Sequence, residues 1–459
     1  MSFFSLIRNG KALFGGPKGD RKEMKAGVLD GLRIIATLWV ISFHIFDLVR
    51  LLPGGMDVLN EIYPLSQYNV FQNGSLGVDM FFVISGFLMM CILYEEYEYA
   101  TNKKENWAVV GRFYMRRILR IYPSYMLALG LWCALVASIP SEITSYQFQL
   151  CQQYWWTNIL MISNFYPGGT DVECMAWTWS ISVEMQMYMI SPLVVYVAYK
   201  AQKITRILSF SWLIILTLLS AGLYIGYSLY YFINDVDGRN YVSYVYTFTY
   251  MRFFGYSSGM IAALQVMHER KGMSGPMNLI VRGIVRIITT GLVIAIGVYG
   301  GIFYYPDIPD MIFWQIGANR VMFSFSFAFV IYDLIVGVTP DRGWKYRILD
   351  MWIPISRKLL NNRVTYIFAQ FTYNIYLYHL QIICIFYVVV FQTPDFIFEP
   401  NWMIITFTIG CFLISSVIAL VVYFLIEKPF INMGKMKKQS VLVEFIELNE
   451  KDSPVTSRS

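Results

Sequence analysis

Charge is scarce in this chain. Only 14% of its 459 residues are charged, where a soluble domain carries roughly 25%. Hydrophobic residues reach 57% and mean hydropathy is +0.50, so the composition excludes an ordinary soluble fold and suits one that faces lipid. The motifs of several chemistries are missing as well. There is no HExxH, no CxxC pair and no di-carboxylate cluster with ligand spacing, so no metal site is expected. There is no Walker loop, no GxGxxG following a strand and no GxSxG elbow, which argues against a soluble-type nucleotide-binding protein or serine hydrolase. The +6 net charge and pI near 8.8 do not point to nucleic acid. The basic residues sit between apolar spans, where membrane topology accounts for them.

What is present is a series of apolar runs of about 20 residues, the length that crosses a bilayer. Ten are expected, at 29–50, 76–96, 119–139, 178–199, 207–233, 251–268, 284–304, 311–337, 364–390 and 402–426. Lys and Arg alternate across the connections. Residues 1–28 hold Arg8, Lys11, Lys18, Arg21, Lys22 and Lys25; loops 51–75 and 140–177 hold none; the eighth connection holds Arg342, Lys345, Arg347, Arg357, Lys358 and Arg363. Basic residues gather on the cytoplasmic-type face. The expectation is an all-α polytopic membrane protein with ten transmembrane helices and both termini on the basic side. Residues 1–28 form a basic N-terminal segment, 29–430 the helical domain and 431–459 a polar tail. The two tails read either as disordered or as held by other membrane-protein subunits. The N-terminus lacks a signal-peptide core and reads as a topogenic basic tail or a weak mitochondrial presequence. The endoplasmic reticulum or plasma membrane is the expected location, with the mitochondrial inner membrane as the alternative. Cys151 and Cys174 share the basic-free loop 140–177 and can pair if that side is lumenal or extracellular.

Ionisable groups inside apolar spans are costly and tend to face an interior cavity. The stretch 29–44 reads LDGLRIIATLWVISFH, with Arg33 and His44 eleven positions apart. Eleven helical residues turn through about 1100° and rise ~16 Å, which puts both side chains on one face. Asp47 lies three residues further along, near enough to orient the imidazole. In RRILRIYPSY, 116–125, Arg117 and Arg120 share a face at the basic side and suit phosphate groups or lipid headgroups equally. Glu184, inside the span opened by CMAWTWSISVEMQ, needs a partner; Arg320, inside the eighth span, needs a counter-charge, with Glu184 one candidate. Asp79 reads as a helix N-terminal carboxylate. His379 in TYNIYLYH leans to a structural hydrogen bonder, Glu427 in LIEKP to an anchor, and nothing singles out His268. The aromatic stretch YWWTNILMISNFYPGG can dip into the interface as a lid.

In this order LDGLR with His44, LGVDMFFVISGFL, RRxxRIYP, WSISVEMQ, YNIYLYH and IEKP resemble the landmarks of the acyltransferase 3 family. WWTNILMISNFYP and YMRFFGYSSGMIAAL resemble its nose-resistant-to-fluoxetine-like branch. The resemblance implies acyl transfer from acyl-CoA on the basic side to a hydroxyl of a lipid, sugar or small-molecule acceptor. Arg33, Arg117 and Arg120 would bind the cofactor's phosphates. His44 would act as general base, Asp47 or Glu184 would orient or charge-compensate it, and Arg320 would steady a carboxylate or developing oxyanion. Two rival readings stay open here. One is a catalytically silent member serving as a structural or lipid-binding subunit of a membrane complex. The other is a transporter, although no inverted repeat is visible.

Overall fold

The computed structural model describes residues 27–49, 52, 55–62, 68–139, 142–168, 172–234, 245–275, 277–299, 318–336, 352–391 and 398–434, together with Asn9 and Leu13. The described residues are helical apart from short connections. The main helices are α1 (Gly27–Leu48), α2 (Leu76–Tyr99), α3 (Lys103–Ser138), α4 (Glu142–Ile159), α5 (Trp179–Ile204), α6 (Arg206–Asn234), α7 (Thr249–Arg270), α8 (Leu279–Tyr299), α9 (Asn319–Val336), α10 (Trp352–Leu360), α11 (Arg363–Ala369), α12 (Thr372–Phe386) and α13 (Pro400–Val422). Among the described residues, nine helical stretches are long and apolar enough to cross a membrane. Each expected span overlaps a described helix, with three differences that have physical reasons.

First, α7 falls outside those nine, although it is 22 residues long. It is almost wholly buried, from Thr249 to His268, so it faces protein rather than lipid and can carry more polar groups. Ser257 bonds Thr217 of α6 at 2.8 Å, and Tyr256 bonds Ser191 of α5 at 2.7 Å. Its contact with α2 is made backbone to backbone. A Cβ on Gly259 would lie 2.0 Å from the Val83 carbonyl oxygen, and one on Gly86 would lie 1.8 Å from that of Tyr256. Small residues at a crossing are what let membrane helices approach this closely.

Second, α3 has 36 residues and so runs ~54 Å, well beyond a ~30 Å hydrocarbon core. Arg116 and Arg117, expected in a loop, stand on this helix with Arg120. Asn102 caps it by accepting from the Glu105 amide at 3.0 Å. Third, the expected span 364–390 is broken. Asn362 and Thr365 form a capping box that starts α11, and Phe371 leaves the helical conformation before α12 begins. The ends 1–26, apart from Asn9 and Leu13, the N-terminal part of the eighth span (311–317) and residues 435–459 lie outside the described residues.

The loop 140–177 contains a helix, α4, that the sequence reading missed. The sulfurs of Cys151 and Cys174 are bonded, so the open pairing is formed and ties α4 to the chain entering α5. Asn158 of α4 adds a hydrogen bond to the Cys174 carbonyl at 2.8 Å. Elsewhere, Asp333 of α9 is clamped by Arg282 and Arg286 of α8 at 2.7 and 2.6 Å. Arg357 of α10 caps the end of α9 through the Leu334 and Ile335 carbonyls.

The α2–α7 crossing predicts a sharp contrast between glycines. Gly259→Ala must push two backbones apart and should lower the melting temperature in detergent by several degrees or abolish monodisperse material. Gly222→Ala, where a Cβ meets open space, should change neither; thermal-shift and size-exclusion profiles compare the two.

Candidate active site

A cavity of about 490 Å³ opens between α1, α2, α3, α5 and α12. Its outer part is cationic. Arg33 of α1, Arg116, Arg117 and Arg120 of α3, and Lys428 face it, against the carboxylates of Asp30, Glu184 and Glu427. With Glu96, which pairs with Arg116 from outside the wall, five cations stand against four carboxylates. Asp30 lies 3.6 Å from Arg33, Glu96 bonds Arg116 at 2.5 Å, and Glu427 lies 3.9 Å from Arg120. Arg117 differs from these. It has no ion pair among the described residues; it stacks on Phe113 and Tyr188, 5.4 and 5.0 Å from their ring centres, and its Nε is buried without a hydrogen-bond partner.

Glu427 reaches the cavity through a local distortion. Residues Tyr423–Glu427 form a π-helical turn at the end of α13, a wider turn that shifts the register of the side chains. The carboxylate is buried and accepts from Asn374 of α12 at 2.8 Å. The sequence reading made it an anchor; it is also part of the cavity wall.

Further along the wall, hydroxyls and a carboxylate stand among apolar side chains such as Val78, Phe81 and Phe82. Glu184 accepts the hydroxyls of Ser85 and Tyr188. One turn earlier on α5, Ser180 bonds the Tyr376 hydroxyl at 2.6 Å, and that hydroxyl donates to the Trp177 carbonyl at 2.9 Å. Behind Tyr376 stand two imidazoles. The His379 ring lies 5.4 Å from the Tyr376 ring and 5.2 Å from the His44 ring. His379 Nδ1 contacts the Tyr376 carbonyl, which only accepts, so Nδ1 carries the proton. The lone pair of Nε2 is then left buried without a hydrogen-bond partner among the described residues. A group the sequence reading had inclined to call structural thus has an open acceptor beside His44.

Four of the seven expected site residues, Arg33, Arg117, Arg120 and Glu184, therefore meet in one cavity. His44 is not on the cavity wall; it is half-buried, and its ring lies beside His379, whose ring in turn lies beside Tyr376. Asp47 follows His44 by less than one turn of α1. Arg320 is placed elsewhere, and the suggestion that Glu184 balances it is corrected. Arg320 pairs with Asp79 at 2.6 Å, and Arg252 holds the other Asp79 oxygen at 3.0 Å. Tyr246 stacks on both guanidiniums, 4.8 and 4.2 Å from its ring centre. Asp79 is therefore a buried tie between α2, α7 and α9 and not a simple helix-end carboxylate. The sequence carried the signal, an Asp and two Arg in apolar helices, but not their pairing.

The arrangement defines a helical membrane protein with an interior cationic cavity and a pair of imidazoles behind one of its wall residues, Tyr376. Comparison with known proteins then identifies the family. The acyltransferase-domain family, acyltransferase 3, matches residues 27–422, and the chain belongs to it. Nose resistant to fluoxetine protein 6 of Caenorhabditis elegans is 26% identical over 272 residues, 52% of this chain and 32% of that protein. O-acetyltransferase OatA of Staphylococcus aureus is 29% identical over 217 residues, 46% of this chain and 31% of that protein. An uncharacterized Haemophilus influenzae protein is 34% identical over 162 residues, 33% of this chain and 62% of that protein. The matches thus span about a third to under two thirds of these relatives' lengths. No solved structure matches.

Outside the spans, one acid is set apart. Glu173, beside the disulfide, is fully buried and neither oxygen has a hydrogen-bond partner among the described residues. Burial pushes its carboxyl well above the usual range, opposed only by the nearby Ser163 hydroxyl, which also bonds Ser182 at 3.1 Å. A raised folded-state pKa means a stability share that is full below the free carboxyl's range and lost as pH rises through the folded value. Glu173→Gln should therefore raise the melting temperature by a few degrees at pH 8 and leave it unchanged at pH 4; equal shifts at both pH values would contradict a neutral buried acid.

Proposed function

We propose that this protein is a membrane-embedded acyltransferase that moves an acyl group from acyl-CoA, entering at the basic side, to an acceptor hydroxyl. The observation that carries the reading is Arg117, a cavity guanidinium with no carboxylate partner among the described residues, flanked by Arg33 and Arg120. Phosphates are the ligands that planar, multiply donating guanidiniums suit best. The family and the O-acetyltransferase relative support acyl transfer.

The phosphate end of the donor sits at Arg33, Arg117 and Arg120, and its thioester points to Ser180 and Tyr376. Rotation of Tyr376, which breaks its bonds to Ser180 and the Trp177 carbonyl, joins the cavity to the imidazoles. His44 is the general base, and His379 stands beside it with an open nitrogen. The acceptor oxygen loses its proton to imidazole and bonds the thioester carbon. The carbon–sulfur bond breaks, and the CoA thiolate takes up a proton. Glu184 holds Ser85 and Tyr188 in place along the path, and Asp47 orients His44. Arg320 keeps the helices in register through Asp79 rather than touching the reacting atoms. The acceptor is a lipid, sugar or small molecule approaching from the membrane or the far side. The disulfide in the basic-free loop supports an oxidising compartment on that face, and with it the endoplasmic reticulum or plasma membrane over the mitochondrial inner membrane.

Calorimetry with CoA on protein in nanodiscs, together with acetyl-CoA turnover, tests this. Losing charge-assisted bonds costs about 1.5–3 kcal/mol, so Arg117→Ala should weaken CoA binding roughly 10- to 100-fold. His44→Ala should bind CoA as wild type does but lose at least about 100-fold in turnover. Unchanged CoA binding in Arg117→Ala removes the donor site, and retained turnover in His44→Ala removes the base.

A further inference from the structure

The disulfide has a third sulfur beside it. Cys133 is free, half-buried and five residues before the end of α3. Its sulfur and those of Cys151 and Cys174 all lie within 4.8 Å of one another. The other three free cysteines, Cys91, Cys384 and Cys411, are buried and, among the described residues, belong to no such cluster. Thiol–disulfide exchange needs a thiolate, a reachable disulfide sulfur and no outside oxidant. The fold supplies the reachable disulfide sulfur, the exchange itself conserves oxidation state, and alkaline solution supplies the thiolate.

We propose that Cys133 is an exchange partner of the Cys151–Cys174 disulfide, so that the turn entering α5 has two alternative covalent tethers. The Cys133 thiolate attacks Sγ of Cys174, a Cys133–Cys174 bond forms as the Cys151–Cys174 bond breaks, and Cys151 leaves as a thiolate that takes up the proton Cys133 released. Attack on Cys151 instead joins Cys133 to Cys151 and frees Cys174. The number of disulfides and of thiols is unchanged in either case. What changes is the anchor of the turn: α4 in one isomer, α3 in the other, and neither helix when Cys174 is free.

That turn is coupled to the cavity. Met175 adopts a left-handed conformation, φ 55°, and Thr178 closes the turn through its amide to the Met175 carbonyl at 2.8 Å. Trp177 follows; its ring packs edge-on against Trp132 at 4.9 Å, its indole N–H donates to the Leu377 carbonyl at 3.1 Å, and its carbonyl accepts from Tyr376. Trp132 is the neighbour of Cys133, and Tyr376 stands on the cavity wall. A change of tether therefore pulls on the residue that gates the imidazoles. This regulatory consequence rests on the acyltransferase reading; the exchange itself does not.

Peptide mapping under non-reducing conditions, on full-length protein in detergent trapped with N-ethylmaleimide, tests the exchange. Cys151→Ser, oxidised with glutathione disulfide, should yield a Cys133–Cys174 linked peptide, and Cys174→Ser a Cys133–Cys151 peptide. Both remaining cysteines appearing alkylated in monodisperse variants overturns the proposal. Wild type covers the case of a variant that does not fold. After incubation at pH 8 with a glutathione redox pair and acid quenching, a Cys133-containing disulfide should appear beside Cys151–Cys174. Cys133 wholly alkylated under every condition overturns it again. Acetyl-CoA turnover then compares Cys151→Ser with Cys133→Ser, and a several-fold difference is expected. Equal, measurable turnover ends the coupling to the site. Exchange without turnover in any form instead sinks the transferase reading and leaves the exchange standing.

Discussion

An ionised side chain cannot be left unpaired inside a bilayer-spanning bundle, and that constraint organises this molecule. Hydrocarbon offers no water to solvate a guanidinium or carboxylate, so each must find an opposite charge or a wet cavity. Two buried clusters meet the demand by pairing. Asp79 takes Arg252 and Arg320, and Asp333 takes Arg282 and Arg286. The first joins helices distant in sequence, the second two successive ones, and each removes its arginines from the list of groups free to bind a ligand. Arg117 meets the demand the other way, by facing a cavity with only aromatic faces beside it. The same rule sorts Arg320 into a buried ion pair and Arg117 onto a cavity wall.

Close packing supplies the frame in which this sorting happens. Gly86 and Gly259 bring α2 and α7 into backbone contact, and the hydroxyls of Ser191, Thr217 and Ser257 stitch α5 and α6 to α7. A central helix so enclosed need not be strongly apolar, and one of its polar residues, Arg252, in turn holds Asp79. At the cavity, the breaks in regular helix have the opposite effect. The interruption between α11 and α12 and the π-turn at Tyr423–Glu427 bring Gln370, Tyr373 and Glu427 onto the cavity wall.

The two faces of the bundle carry different chemistry. Basic residues and the cavity mouth gather at one end, while the disulfide, α4 and the buried acid Glu173 lie in the loop that lacks basic residues. Tyr376 stands where the two meet: its hydroxyl is held by Ser180 and the Trp177 carbonyl, its ring faces Phe81 at the cavity side and His379 behind. A donor from one side and an acceptor from the other would converge on this tyrosine and the imidazole pair.

The helices were legible in the amino-acid order because apolar length and the alternation of Lys and Arg are properties of consecutive residues. Arg33, Arg117, Arg120 and Glu184 were legible for the same reason, as polar groups standing out against apolar runs. Their pairing was not. Asp79 and Arg320 are 241 positions apart, and His44 and His379 are 335 apart; only the packing of α1, α2, α7, α9 and α12 decides which of these groups touch. The Cys133 sulfur beside Cys151–Cys174, the rotation of Glu427 into the cavity and the separation of His44 from the cavity wall by Tyr376 belong to that second kind. Each depends on distances set by helix crossings, which no local pattern of residues encodes.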